Sequence, residues 1–299
     1  MKKFLMTAVA AGVAVFASAA AQAQVLPVNV YTPGGGTAIV QNITDFDYNS
    51  NGSAVVIGAG PFIQGFAVPN GTLFTNKIQT NVIGFNRGAS AVGSSEILAG
   101  LNDNFGAGGY EITAVATFVE QVVSSTINST TFQILSGTVA IYFDNTASGG
   151  VKADLAAGTG YDDGALIWSG SVIGGDANFT AATPSIGLGS TNVIASTSSI
   201  DATALQNLPS SILSIFLNAE GQTGYPAGNA TTDNYHIGGS AAYPNYVVDT
   251  VCEGGPGSCD LQLRFDGSSR FVPEPGALAL LGVAAVAAGA GVRRNRKSK

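Results

Sequence analysis

Tyr110-Glu111-Ile112-Thr113-Ala114-Val115-Ala116-Thr117-Phe118-Val119-Glu120-Gln121-Val122-Val123 is the stretch whose reading decides the fold. It is rich in β-branched and aromatic residues. Ile112, Ala114, Ala116 and Phe118 alternate with Glu111, Thr113, Val115 and Thr117, the period of two that a strand with one buried face requires. Ser124 to Thr130 reads as a turn. Thr131 to Leu135 and Thr138 to Phe143 follow as one bent strand or two, with Ser136-Gly137 at the bend and Asp144-Asn145 at the end, so the whole segment predicts a long antiparallel hairpin.

The same texture extends to both sides. Upstream, Ala54 to Ile57, Phe62 to Val68, Leu73 to Thr75 and Ile78 to Phe85 read as strands. They are separated by turn residues at Asn49 to Gly52, Gly58 to Pro61 and Pro69-Asn70-Gly71. Ser94 to Leu101 has room for one short helix. Downstream, Gly158 to Gly164 (GTGYDDG) is a turn, and Ala165 to Ile173 is a strand that places the only tryptophan, Trp168, in a core. Gly174 to Ser199 is polar and without a clear period. Asp201 to Leu208 reads as a helical start capped by Asp201 and interrupted by Pro209, while Ile212 to Leu217 is too short for periodicity to separate helix from strand. Tyr246 to Val251 and Leu261 to Phe265 pair as a last hairpin, and Asp266 to Phe271 is a short link. No repeat and no composition break divides the region. The expectation is an all-β, mainly antiparallel, sandwich-like ectodomain over residues 24–271, with a C-terminal transmembrane helix.

Both ends of the chain are targeting segments in character. Lys2 and Lys3, an apolar run from Phe4 to Ala20, and the small residues Ala21 and Ala23 around Gln22 form a secretory signal peptide over residues 1–23, so the mature chain is expected to start at Gln24. At the other end stand Val272-Pro273-Glu274-Pro275, an uncharged run from Gly276 to Val292, and a basic tail containing Arg293, Arg294, Arg296 and Lys297. As a helix the run reaches roughly 25 Å, the short end of what spans a bilayer. The basic tail stays on the cytoplasmic side, which puts everything before Val272 outside. Two prolines keep the box extended and out of the helix.

Charge and cysteine usage narrow the function classes. Of the nineteen acidic residues all but Glu274 lie in the ectodomain, against five basic ones there (Lys77, Arg87, Lys152, Arg264 and Arg270), a net charge of −13. Such a surface cannot neutralise a row of phosphates, so no nucleic-acid partner is expected. Cys252 and Cys259 are separated by a Gly/Pro-rich spacer in an exported region, and a local disulfide is the expectation. Asp47, Asn49 and Asn51, followed by Gly52, fit the first half of a calcium-binding loop. Gly58, however, stands where the bidentate Glu belongs, so an Asx-rich turn is the simpler reading. A second gathering of carboxylates is conceivable around Asp162-Asp163 with Asp154 and Asp176. The single histidine, His236, offers neither a metal set nor a catalytic triad, and no GxSxG, HExxH or Walker pattern is present. No enzyme activity and no cofactor is expected.

The tripartite carboxyl end, residues 272–299, resembles the PEP-CTERM sorting signal of Gram-negative, polysaccharide-producing bacteria. There a Pro-Glu-Pro box, a hydrophobic helix and an arginine cluster are recognised by an exosortase. Pro273, Glu274 and Pro275 occupy the box. The resemblance implies an exported protein, held in the inner membrane as a precursor and then delivered to the cell surface or extracellular matrix. The hairpin, the GYDDG turn and the strand after it also look like the flocculation-associated PEP-CTERM proteins, which implies a role in biofilm or floc formation through exopolysaccharide. A secreted carbohydrate-active enzyme with the same tail is the alternative.

Overall fold

The computed structural model describes residues 27–59, 67–87, 96–154, 157–183, 186–208, 211–219, 242–243, 246–247 and 260–273. In chain order the strands are β1 (Val28–Tyr31), β2 (Ala38–Ile43), β3 (Asp45–Ile57), β4 (Leu73–Asn86), β5 (Tyr110–Ser125), β6 (Ser129–Asn145) and β7 (Ala165–Thr183). They continue as β8 (Ile186–Ile200), β9 (Leu205–Gln206), β10 (Ser211–Ala219), β11 (Ala242–Tyr243), β12 (Tyr246–Val247) and β13 (Leu261–Pro273). Apart from the single 3₁₀ turn Phe105–Ala107, no helix occurs among the described residues, and none there is long and apolar enough to cross a membrane.

The all-β, mainly antiparallel expectation holds, with a different closure. In place of two packed sheets, one sheet curls round in the order β10-β13-β3-β4-β5-β6-β7-β8, and β8 pairs with β10 to close it. Closure removes both free edges, which suits strands of 9 to 19 residues that would otherwise expose long unpaired ladders. Curvature comes from bulges. Register shifts interrupt β3 between Tyr48 and Ser53, β6 near Leu135, β7 between Val172 and Gly174, and β13 between Phe265 and Gly267. Each bulge bends its strand and can change which residues face inward. In β6 the buried apolar positions are Phe132 and Ile134 before the irregularity and Val139, Ile141 and Phe143 after it.

The core is accordingly split in two along the barrel. The larger cluster fills the end where β3 and β5 begin and β13 finishes. Phe271 sits there edge-on to Phe46 and Trp168 at 6.0 and 5.9 Å, and the small sheet β2-β1-β9 adds Val28, Val30, Ile43 and Leu205. The smaller cluster, at the opposite end, holds Val56, Phe74, Val122, Phe132, Phe179 and Leu261.

Several local expectations change. Leu73 to Thr75 and Ile78 to Phe85 are one strand, β4. The polar stretch from Gly174 onward forms much of β7 and β8, because long cross-strand pairing supplies what a weak hydrophobic pattern does not. Of the expected helix Ser94 to Leu101, the described part carries an isolated bridge from Phe85 to Glu96 and a turn. Asp201 does accept the Thr203 amide, at 2.8 Å, but the chain turns instead of coiling, since Leu205 and Gln206 pair with β1. Leu261 to Phe265 pairs with β3 as part of β13, and Tyr246-Val247 pairs with β11.

Candidate functional site

The box at the carboxyl end starts on the barrel itself. Asp266 to Phe271, expected as a link, is the second half of β13, and the pairing with β10 runs through Val272 opposite Ile212 and Pro273 opposite Ser211. Phe271 is 1% exposed and locks this end into the core. Proline lacks the amide hydrogen a further ladder bond needs, so the strand ends where the box begins. Glu274, Pro275, the apolar run and the basic residues Arg293, Arg294, Arg296 and Lys297 lie outside the described residues, as do Ala21, Ala23 and Gln24 of the signal cleavage site and the two cysteines, Cys252 and Cys259.

At the far end of the barrel a pocket of about 40 Å³ is lined by Val56, Asn76, Glu120, Phe132, Phe179 and Leu261, with other residues of β7, β8 and β13. One water needs only about 10–15 Å³ by the same measure. Glu120 continues the inward series Ile112, Ala114, Ala116, Phe118 on β5. Asn76 is its diagonal neighbour, since β4 places Phe74 opposite Glu120 and Asn76 opposite Phe118. Glu120 is 4% and Asn76 6% exposed. Burial pushes the Glu120 carboxyl up to about 7, and the Asn76 amide opposes this only in part. The Asn76 Nδ2 completes no hydrogen bond of normal geometry, so its effect on the carboxyl is one of proximity.

A second acidic pair lies on the outside of the barrel. Glu111 and Asp144 are direct partners across β5 and β6, each 1% exposed beneath the segment that follows β6. The Ala153 amide donates to Glu111 Oε1 at 2.7 Å, and Thr113 donates to the Tyr161 carbonyl at 2.8 Å, which ties the GTGYDDG turn down over them. Ser148 donates to Asp144 Oδ1. Burial raises the Glu111 carboxyl to about 7. The Ala153 hydrogen bond opposes that rise, Asp144 and Asp163 add to it, and Lys152 offsets part of it. Asp163 accepts from the Val151 amide at 2.9 Å, so these carboxylates act mainly as internal ties.

Asp47, Asn49 and Asn51 sit in β3, at and beside its bulge, where a calcium loop was one reading. Of the Asp162-Asp163 gathering, Asp163 and Asp154 share the segment over Glu111, whereas Asp176 is on β7 opposite Gln133. Among the described residues no three acidic, His or Cys side chains are arranged to hold a metal ion. Glu120 was legible in principle, because extending the alternation past Phe118 puts it inside. Asn76 carried no such signal.

No curated protein and no solved structure matches the chain. Residues 271–297 match the PEP-CTERM protein-sorting motif. The matched segment overlaps the last rungs of β13 and contains the whole Pro273-Glu274-Pro275 box. The chain carries a PEP-CTERM protein-sorting motif at its carboxyl end, as a PEP-CTERM domain-containing protein of Gram-negative bacteria does, and is thereby an exported protein targeted to an exosortase.

Proposed function

We propose that the processed barrel is a non-enzymatic component of the cell surface or extracellular matrix, which strengthens biofilms or flocs by associating with exopolysaccharide. The observation that carries this reading is the sorting motif at residues 271–297. On this reading the run from Gly276 to Val292 holds the precursor in the inner membrane until the exosortase cuts near Pro273. Two features of the described residues support a binding role over a hydrolytic one. The Glu111 and Asp144 carboxyls are covered by the GTGYDDG segment, and Glu120 stands in its pocket without a second carboxylate. The many Asn, Ser and Thr side chains on the outer faces of β6, β7 and β8 supply amides and hydroxyls to meet sugar hydroxyls through numerous weak contacts.

The test is co-sedimentation of the mature protein with exopolysaccharide from the same cells. Retention without release of reducing sugar is expected. Steady release of reducing sugar, abolished by one Asp or Glu substitution, would replace this reading with that of a carbohydrate-active enzyme, and absence of retention would remove the matrix role.

A further inference from the structure

The far-end pocket has a chemistry that neither sorting nor matrix association uses. Its walls are mostly apolar, with Val56, Phe132, Phe179 and Leu261 around the single carboxyl of Glu120 and the amide of Asn76, and with Asn178 and Thr191 as the further polar lining residues. No ion pair to Glu120 is present among the described residues; the cation of the neighbouring strand position, Lys77, points to the outer face, 5.8 Å from the Tyr246 ring. A buried carboxyl with no cation and an amide Nδ2 with no completed hydrogen bond are each costly inside a protein. Both costs fall if a positive group enters. A cation beside Glu120 holds the carboxyl in its ionised form, in which both oxygens accept. One oxygen can then take the entering donor and the other the Asn76 Nδ2, which lies close by.

The walls select what carries the charge. Two aromatic rings and branched aliphatic side chains favour an ammonium on a short apolar body, stabilised further by the ring faces. A sugar ring is too large for a volume of about 40 Å³. Among the described residues an inorganic cation would find one carboxylate, with Asn76, Asn178 and Thr191 as further oxygen donors, short of the six to eight ligands calcium takes, and no three acidic, His or Cys side chains. The pocket also lies at the end of the barrel opposite Pro273, so a tethered precursor and a released barrel present it equally.

We propose that this pocket is a binding site for a primary ammonium group on a short apolar chain, with Glu120 as its counter-ion and Asn76 as the positioning residue. The inference is independent of the exopolysaccharide reading and stands or falls without it.

The test is isothermal titration of the full chain, purified in a non-ionic detergent, with ethylammonium chloride, whose three heavy atoms match a volume of about 40 Å³, at constant ionic strength and with a detergent-only reference. Ethanol and sodium acetate serve as the neutral and anionic counterparts. Saturable binding of the ammonium is expected, at least tenfold tighter than either counterpart and weakened at least tenfold in Glu120→Gln. Binding of ethanol as tight as that of ethylammonium would reduce the pocket to an apolar cavity and overturn the proposal. Absence of saturable binding by all three probes, in a chain whose thermal unfolding remains cooperative, would show a hydrated cavity only and overturn it as well.

Discussion

Replacing Glu120 with Gln is expected to stabilise the barrel, and only above mildly acidic pH. The side chain is 4% exposed, and burial moves its carboxyl from 4.5 to about 7. Below pH 4.5 the group is protonated in both the folded and the unfolded chain and contributes no pH dependence. Between 4.5 and 7 the folded chain holds a proton that the unfolded chain releases, so stability falls as pH rises and levels off above the folded value. The shift corresponds to about 3 kcal/mol between pH 4 and pH 8.5. Gln has nearly the same shape, cannot ionise, and keeps an oxygen near Asn76. Urea unfolding of the wild-type and variant chains at pH 4, 6 and 8.5 would isolate this contribution, because the other carboxylates, Glu111 included, cancel in the difference. The two chains should have similar stability at pH 4, and the variant should lead by about 3 kcal/mol at pH 8.5. A difference that does not change with pH, or a variant that is the weaker one at pH 8.5, would refute the placement of a buried, unpaired carboxyl inside the barrel.

Three further outcomes are expected. A Cβ at Gly137 would stand 2.2 Å from the Thr117 carbonyl oxygen and 2.5 Å from the Phe118 Cα; Gly137→Ala should therefore cost about 1–3 kcal/mol or more, read as a lower urea midpoint. Phe271→Ala removes a ring packed edge-on to Phe46 and Trp168, with an expected loss of about 3–5 kcal/mol in the same assay; a loss under about 1 kcal/mol would mean that the end of β13 is not part of the core. Changing Pro273, Glu274 and Pro275 together to Ala should leave uncut precursor in the inner-membrane fraction, detected by mass spectrometry of the intact chain, whereas unchanged release would argue against exosortase handling.

Local patterning carried much of this protein into view. The alternation from Tyr110 onward, the bend at Ser136-Gly137, the GTGYDDG turn and the core position of Trp168 were all legible, because each depends on residues near one another in the chain. The sorting end was legible for the same reason, as its box, apolar run and basic tail are contiguous. Polar strands such as β8 were not, since their stability comes from partners far along the chain. Likewise Asp201 caps a turn in place of a helix because Leu205 pairs with β1.

What the chain order alone determined is therefore the well-patterned strands, the β5–β6 hairpin and the sorting motif. Tertiary structure decided the rest. Closure of the sheet by β8 on β10 joins residues with no local relation, and the bulges in β3, β6, β7 and β13 set which side chains enter the interior. Only that closure turns Glu120 and Asn76 into pocket residues and makes the first residues of the sorting motif the last rung of a barrel strand, because burial is a property of the whole surface that folds around a group.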